Sequence, residues 1–372
     1  MVLIFRNPLH PIFAFSFSIL VFYIIPYYFY SRGTYINDIN EEIVFVCAAS
    51  WFAFSTGFFL NWIISKRSQT LRKRKFGLDD KVLILYGTVL AGLNFFLVDV
   101  AYISQILVYL NFLFASVIAF HIKGSVYVDR FLLLTFFLIL ILVAISGDKS
   151  NVLMMLLPFL LRTNIEIKFI LRYLIFTCLI LLVFVLSGLM RDHPLVAYKY
   201  SFYELAVLLV IGRLNMVEPF KRALDNPGGF QEIMNLYPLN NTIFPNMFLS
   251  IFPAELIGRQ NVSPAIMFSE KVYHGADTNV SMSSFAEVFL NFGYVGLLVY
   301  FSILGALSGI FFRYARKTSS FLLFSCYLFF LTFCLYLNVE RYQALMWSHF
   351  FKFSILCAIF YGTFILTPKS RV

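Results

Sequence analysis

The 372-residue chain is 60% hydrophobic, only 13% charged, and carries 47 phenylalanines. A soluble fold cannot hide that much ring surface without aggregating, whereas lipid tails solvate it directly. The net charge of +10 falls in short clusters between apolar runs, with no basic recognition helix or glycine-rich aromatic platform beside them. It therefore marks membrane topology and argues against nucleic acid as a partner.

At about 1.5 Å rise per residue, a hydrocarbon core of about 30 Å needs about 20 residues. On that scale the sequence predicts an all-α polytopic integral membrane protein of about ten transmembrane helices. The spans are 11–30, 42–64, 81–101, 104–121, 127–145, a short descending segment 148–161 interrupted by Pro158, then 169–188, 294–314, 319–338 and 345–366. Arg6 precedes an apolar run without a small-residue cleavage site, so the first span is expected to stay on the protein. The five cysteines all lie in apolar stretches, where they read as small packing residues with neither disulfide nor metal spacing.

The connections test this count. Arg6, the 66–75 cluster, Lys123 with Arg130, Arg162 with Lys168 and Arg172, Arg313 with Arg316 and Lys317, and Lys369 with Arg371 all fall on one face. The positive-inside rule makes that face cytoplasmic and places both termini there. Three regions follow: an N-terminal bundle, 1–188; a large loop on the opposite face, 189–292; and C-terminal helices, 293–372. Seven of the twelve prolines lie in the loop. A connection this long is expected to fold over the outer end of the bundle. Within it, 205–212 is too short to span and reads as a buried or interfacial helix.

Four stretches carry the residue types that chemistry needs. Ser146-Gly147-Asp148-Lys149-Ser150-Asn151 opens the short descending helix. Helix N-termini expose N–H groups and partial positive charge, and Lys149 adds a full one, so the turn suits a phosphate. The competing reading is a capped turn with Asp148 or Ser150 as N-cap. Arg191, in Arg191-Asp192-His193-Pro194, can clamp a diphosphate bidentately or pair locally with Asp192. Arg213 ends the short apolar piece and faces either the bundle mouth or Glu218.

The third stretch, His274-Gly275-Ala276-Asp277-Thr278-Asn279, supplies the general-base candidates His274 and Asp277, weighed against ordinary solvated loop residues. Glu287 has its own explanation, since Ser284-x-x-Glu287 matches a capping box opening the next helix. In the fourth, Glu340-Arg341, neighbouring residues point to different partners, and Arg341 either reaches the outer mouth or anchors its helix. Lys352, well inside the last span, needs a buried partner or a watery cavity. No P-loop, His-x-x-x-His pair, acidic metal cluster or serine elbow is present, so neither a metal nor a cofactor is expected.

The architecture, the 146–151 turn and the stretch Ser283-Ser284-Phe285-Ala286-Glu287-Val288-Phe289-Leu290-Asn291-Phe292-Gly293-Tyr294-Val295-Gly296 resemble the Wzy-type O-antigen and capsule polymerases. The resemblance spans nearly the whole chain. In place of the arginine frequent in the 146–151 turn, this sequence has Lys149, and the arginine-to-glycine spaced repeats of some members are missing. What the resemblance implies is a GT-C-like polymerase or ligase of the bacterial inner membrane with a folded periplasmic loop. Its substrates would be oligosaccharide repeats carried on undecaprenyl diphosphate. A chain-length regulator and a flippase of the same pathway, with membrane lipid, would be its partners. Lys149, Arg191, Arg213 and Arg341 would steady the departing diphosphate, and His274 or Asp277 would take the hydroxyl proton. An O-antigen ligase or another lipid-linked-sugar glycosyltransferase is the nearest alternative, and a polysaccharide transporter or flippase the third.

Overall fold

The computed structural model describes residues 9–32, 41–64, 80–97, 101–121, 126–145, 149–162, 215–225, 243, 283–317, 320–337 and 343–366. Nearly all of these are helical. Such segments hold every backbone hydrogen bond within themselves, which an apolar solvent demands because it offers no substitute partner. The helices are α1 (Pro11–Ile19), α2 (Ile25–Arg32), α3 (Glu41–Ile64), α4 (Asp80–Leu97), α5 (Ala101–His121), α6 (Val126–Ile145), α7 (Lys149–Arg162), α8 (Val217–Asp225), α9 (Ser284–Lys317), α10 (Phe321–Phe330) and α11 (Gln343–Leu366). A π-helical turn, Leu20–Ile24, joins α1 to α2, and another, Leu331–Tyr336, prolongs α10.

Among the described residues, four helices are long and apolar enough to cross a membrane: Pro11–Tyr28, Glu41–Leu60, Ile103–Phe120 and Ser284–Lys317. This is the architecture of a helical membrane protein. Helices coincide with the predicted segments to within a few residues, apart from 169–188, which lies outside the described residues. One expectation is corrected. Pro158 does not interrupt the descending segment, because α7 runs through it from Lys149 to Arg162. A proline inside a helix removes one N–H and crowds the preceding turn. Here Met154, Met155, Leu157 and Leu161 around it are buried, and that packing keeps the helix continuous.

The chain forms two compact units. The first combines residues 1–8, 72–213 and 318–328. In it α4 packs on α6 and on α5, and α5 on α7. Their core contains Leu90, Phe114, Phe136, Ile139, Val143 and Met155. Between α4 and α5, the buried Asn94 and Asn111 exchange amide hydrogen bonds of 2.8 and 2.9 Å. Apolar side chains cannot choose partners by hydrophobicity within lipid, so reciprocal amide pairs of this kind fix helix register.

The second unit combines residues 9–71, 214–317 and 329–372. Its central feature is the crossing of α3 and α9. A Cβ on Gly57 would stand 1.9 Å from the Ser302 carbonyl oxygen, and one on Gly305 would stand 2.0 Å from that of Phe54. Only glycine admits this approach, a small-residue contact typical of helices meeting in membranes. The first span lies beside the crossing, with Phe15 stacked on Phe54 at 4.3 Å and tilted against Phe301 at 5.4 Å. Trp51 on α3 donates its indole N–H to Ser16 Oγ at 2.8 Å. At the far end, His10 caps α1 through Nδ1, which accepts the Ile12 N–H, and lies against Phe58 and Phe312.

Helix α9 is two helices joined at Gly293, whose φ of 65° and ψ of −166° only glycine adopts without strain. The shorter arm ends at Phe292, and the longer one begins where the eighth span was predicted, at Tyr294. Gly296 has a different role. A Cβ there would stand 1.9 Å from Phe292 Cβ, so its hydrogen lets the incoming arm fold back on the span.

Candidate functional site

Within the second unit, one end gathers most of the buried polar side chains that bridge its elements. The π-helical turn of the first span places Tyr23 and Phe22 there, both buried. The extra residue in a π turn releases a carbonyl from the regular ladder. The Phe22 carbonyl accepts the Met216 N–H at 3.2 Å, tying the first span to the approach to α8. Asn215 caps α8, accepting from the backbones of Val217 at 3.2 Å and Glu218 at 3.4 Å.

Tyr23 donates its hydroxyl to Ser283 Oγ at 2.9 Å, and the same Oγ accepts the Ala286 N–H at 3.1 Å. The N-cap of α9 is therefore Ser283. The expected Ser284–Glu287 capping box is not formed, because the helix starts one residue earlier than that box requires. Aromatic rings seal the junction. Phe285 meets Tyr23 at 5.0 Å and Phe301 at 4.9 Å, while Phe220 from α8 closes on Phe285 at 6.1 Å.

Glu287, freed from that box, serves a different helix. Its side chain is fully buried, and Oε2 accepts the backbone N–H of Gln343, the first residue of α11. A carboxylate at a helix N-terminus satisfies an orphan N–H and meets the positive end of the helix dipole. Both effects offset the desolvation that a buried acid otherwise suffers. The network continues from there. Tyr300 donates its hydroxyl to Gln343 Oε1, and Trp347 donates its indole N–H to Tyr300 Oη at 2.8 Å. At the same end, Tyr294 donates to the Glu42 carboxylate at the start of α3.

The junction thus pins the first span, α3, α8, both arms of α9 and the start of α11 at one end. It is a framework. Its hydrogen bonds join side chains and backbone groups of separate elements to one another. Among the described residues no group of three or more His, Cys, Asp or Glu could hold a metal ion. Cys47, Cys334 and Cys357 are buried within helices.

Of the residues predicted to act, Lys149 is the first residue of α7, which puts it at a helix N-terminus. Arg191, Arg213, His274, Asp277 and Arg341 lie outside the described residues, as does the predicted interfacial helix 205–212. Glu218, weighed as a partner for Arg213, accepts from Arg222 one turn on, at 2.8 Å, and Arg213 lies outside the described residues. Tyr23, Ser283, Tyr300, Gln343 and Trp347 were not singled out from sequence. The available signal was their polarity inside or beside apolar spans, where an unsatisfied donor is costly. No protein-family model matches the chain, and no curated protein and no solved structure matches it either.

Proposed function

We propose that this protein is a polymerase of the bacterial inner membrane that joins oligosaccharide repeat units carried on undecaprenyl diphosphate into O-antigen or capsular polysaccharide. In this reading the chain crosses the membrane about ten times, both termini are cytoplasmic, and segment 189–292 is the periplasmic loop. The observation that carries the proposal is the built junction at which that loop returns to the bundle. The stretch on which the resemblance rests, 283–296, supplies its cap Ser283, its buried acid Glu287 and its reversing glycine Gly293. In this reading the return point anchors the end of the long loop, as a two-substrate reaction at a membrane surface requires of the residues that position its substrates.

The reaction forms one C–O bond and breaks another. A sugar hydroxyl of a newly arrived repeat attacks the anomeric carbon of the growing chain, and undecaprenyl diphosphate leaves with the bonding electron pair. His274 or Asp277 takes the hydroxyl proton. Lys149, Arg191, Arg213 and Arg341 stabilise the negative charge on the departing diphosphate. No metal is needed when cations supply that charge. Purified full-length protein, given undecaprenyl-diphosphate-linked repeat units, is expected to release undecaprenyl diphosphate and extend the sugar chain. Arg213→Ala is expected to abolish the extension at unchanged protein level. An unaltered product ladder in that variant would remove Arg213 from the site. Transfer of preformed chains to lipid A core, without extension, would replace the polymerase with a ligase.

A further inference from the structure

Lys352 lies on α11 nine residues after Gln343 and 14 before Leu366, about 14 Å and about 21 Å from the two ends of the helix. It makes no hydrogen bond or ion pair among the described residues, although it is half-buried. The sequence also withholds the usual counter-charge. Among the described residues no carboxylate pairs with it, and in the sequence each of the 19 acidic residues falls in a connection or within two residues of a predicted span end. A cation held within a span without a protein carboxylate calls for an anion from outside the chain.

Two features say where that anion comes from. Lysine on a helix leans toward the N-terminal end, and here that end carries Glu287 and Gln343. His349, three residues earlier, shares the flank and is itself half-buried, stacked at 5.4 Å on Phe333. Next to this flank, Ile355 and Ile359 are 47% and 60% exposed on an apolar face. A free ion must shed its water to reach such a place, whereas an anion tethered to a hydrocarbon tail arrives with the tail already dissolved along that face.

We propose that Lys352, with His349 above it, forms a binding site for the phosphate group of an anionic lipid whose tail lies along Ile355 and Ile359. That the lipid is the polyprenyl diphosphate carrier rests on the function proposed above. A bulk phospholipid is the other source of the same chemistry.

The test uses the full-length protein in nanodiscs of neutral lipid, with native mass spectrometry as the readout and no turnover required. The probes are undecaprenyl diphosphate, phosphatidylglycerol and inorganic phosphate. Lys352→Met is expected to weaken undecaprenyl diphosphate binding about tenfold, and Lys352→Arg to hold it within about threefold. Loss for undecaprenyl diphosphate alone identifies the carrier, and equal loss for phosphatidylglycerol identifies bulk lipid. Both outcomes support a lipid-phosphate site. Unchanged affinity in Lys352→Met overturns the proposal, and so does inorganic phosphate binding as tightly as either lipid. Should Lys352→Met fail to accumulate, Lys352→Gln takes its place against the same charge-retaining control. Because binding is measured without polymerisation, failure of the polymerase reading would leave this result intact, and the converse holds.

Discussion

The carboxylate of Glu287, near the start of α9, caps the helix that begins at Gln343, 56 residues further along the chain. An acid that would ordinarily finish its own helix start instead joins two helices, and the Tyr300–Trp347 pair holds the same glutamine from the other side. Glu287→Ala leaves the Gln343 N–H buried without an acceptor, at a cost of about 1–3 kcal/mol. Glu287→Gln keeps an oxygen in place and is expected to lose less than about 1 kcal/mol. Thermal unfolding of the purified protein in detergent checks both. Equal loss in the two variants would show that charge, not acceptance of the N–H, is what the junction uses.

The α3–α9 crossing gives a sharper expectation because it carries its own control. Gly57→Ala and Gly305→Ala each drive a methyl into a backbone carbonyl, and the helices must separate to relieve it. Overpacking of this kind costs about 1–3 kcal/mol. Nothing lies within 4 Å of a Cβ on Gly92, in the middle of α4. Gly92→Ala is therefore expected to be neutral or to stabilise by up to about 1 kcal/mol, through helix propensity alone. Melting temperatures of the three variants, ranked against wild type, decide the matter.

Gly293 is expected to resist every substitution, and for a reason unrelated to space. No atom lies within 4 Å of a Cβ there, yet its φ and ψ fall where side-chain-bearing residues are strained by about 1–3 kcal/mol. Gly293→Ala and Gly293→Asn are expected to lose similar stability, since asparagine tolerates the left-handed helical region but not this one. A clear advantage for asparagine in thermal unfolding would mean that the chain turns differently at this position.

His10 supplies a pH dependence. Burial first, and then the nearby Arg316 charge, lower its pKa from 6.5 to about 4. In the folded protein the ring stays neutral where the unfolded chain already binds a proton. Its effect on stability is absent above about pH 6.5, and stability then falls as pH drops through the window from about 6.5 to about 4. His10→Gln retains an acceptor for the Ile12 N–H and is expected to flatten this part of the curve. Unfolding temperatures measured from pH 7.5 to 4.0 check it, and an identical slope in the variant would assign the dependence to other groups.

The helices among the described residues were legible because length and apolarity are strong, local signals, and lipid leaves few alternatives to a helix. The start of the eighth span was legible too, since Phe292-Gly293-Tyr294-Val295-Gly296 interrupts an apolar run, and the structure bends at that glycine. The role of Glu287 was not legible. Its spacing from Ser284 fits a capping box, and only the three-dimensional approach of Gln343 shows which helix it serves. The same holds for Gly57 and Gly305. Nothing in either neighbourhood of the sequence announces that the two meet, because the contact is set by the crossing of helices far apart in the chain. Pro158 illustrates the opposite error, in which a strong local rule yields to packing around it. Of the residues expected to do chemistry, Lys149 alone falls among the described ones, at a helix start that suits a phosphate.

Surface polysaccharide length, resolved on a silver-stained gel from a strain lacking this protein and from the same strain complemented with it, tests the central proposal most directly. The polymerase reading expects single-repeat product in the deletion and a restored ladder on complementation. A normal ladder in the deletion would contradict it.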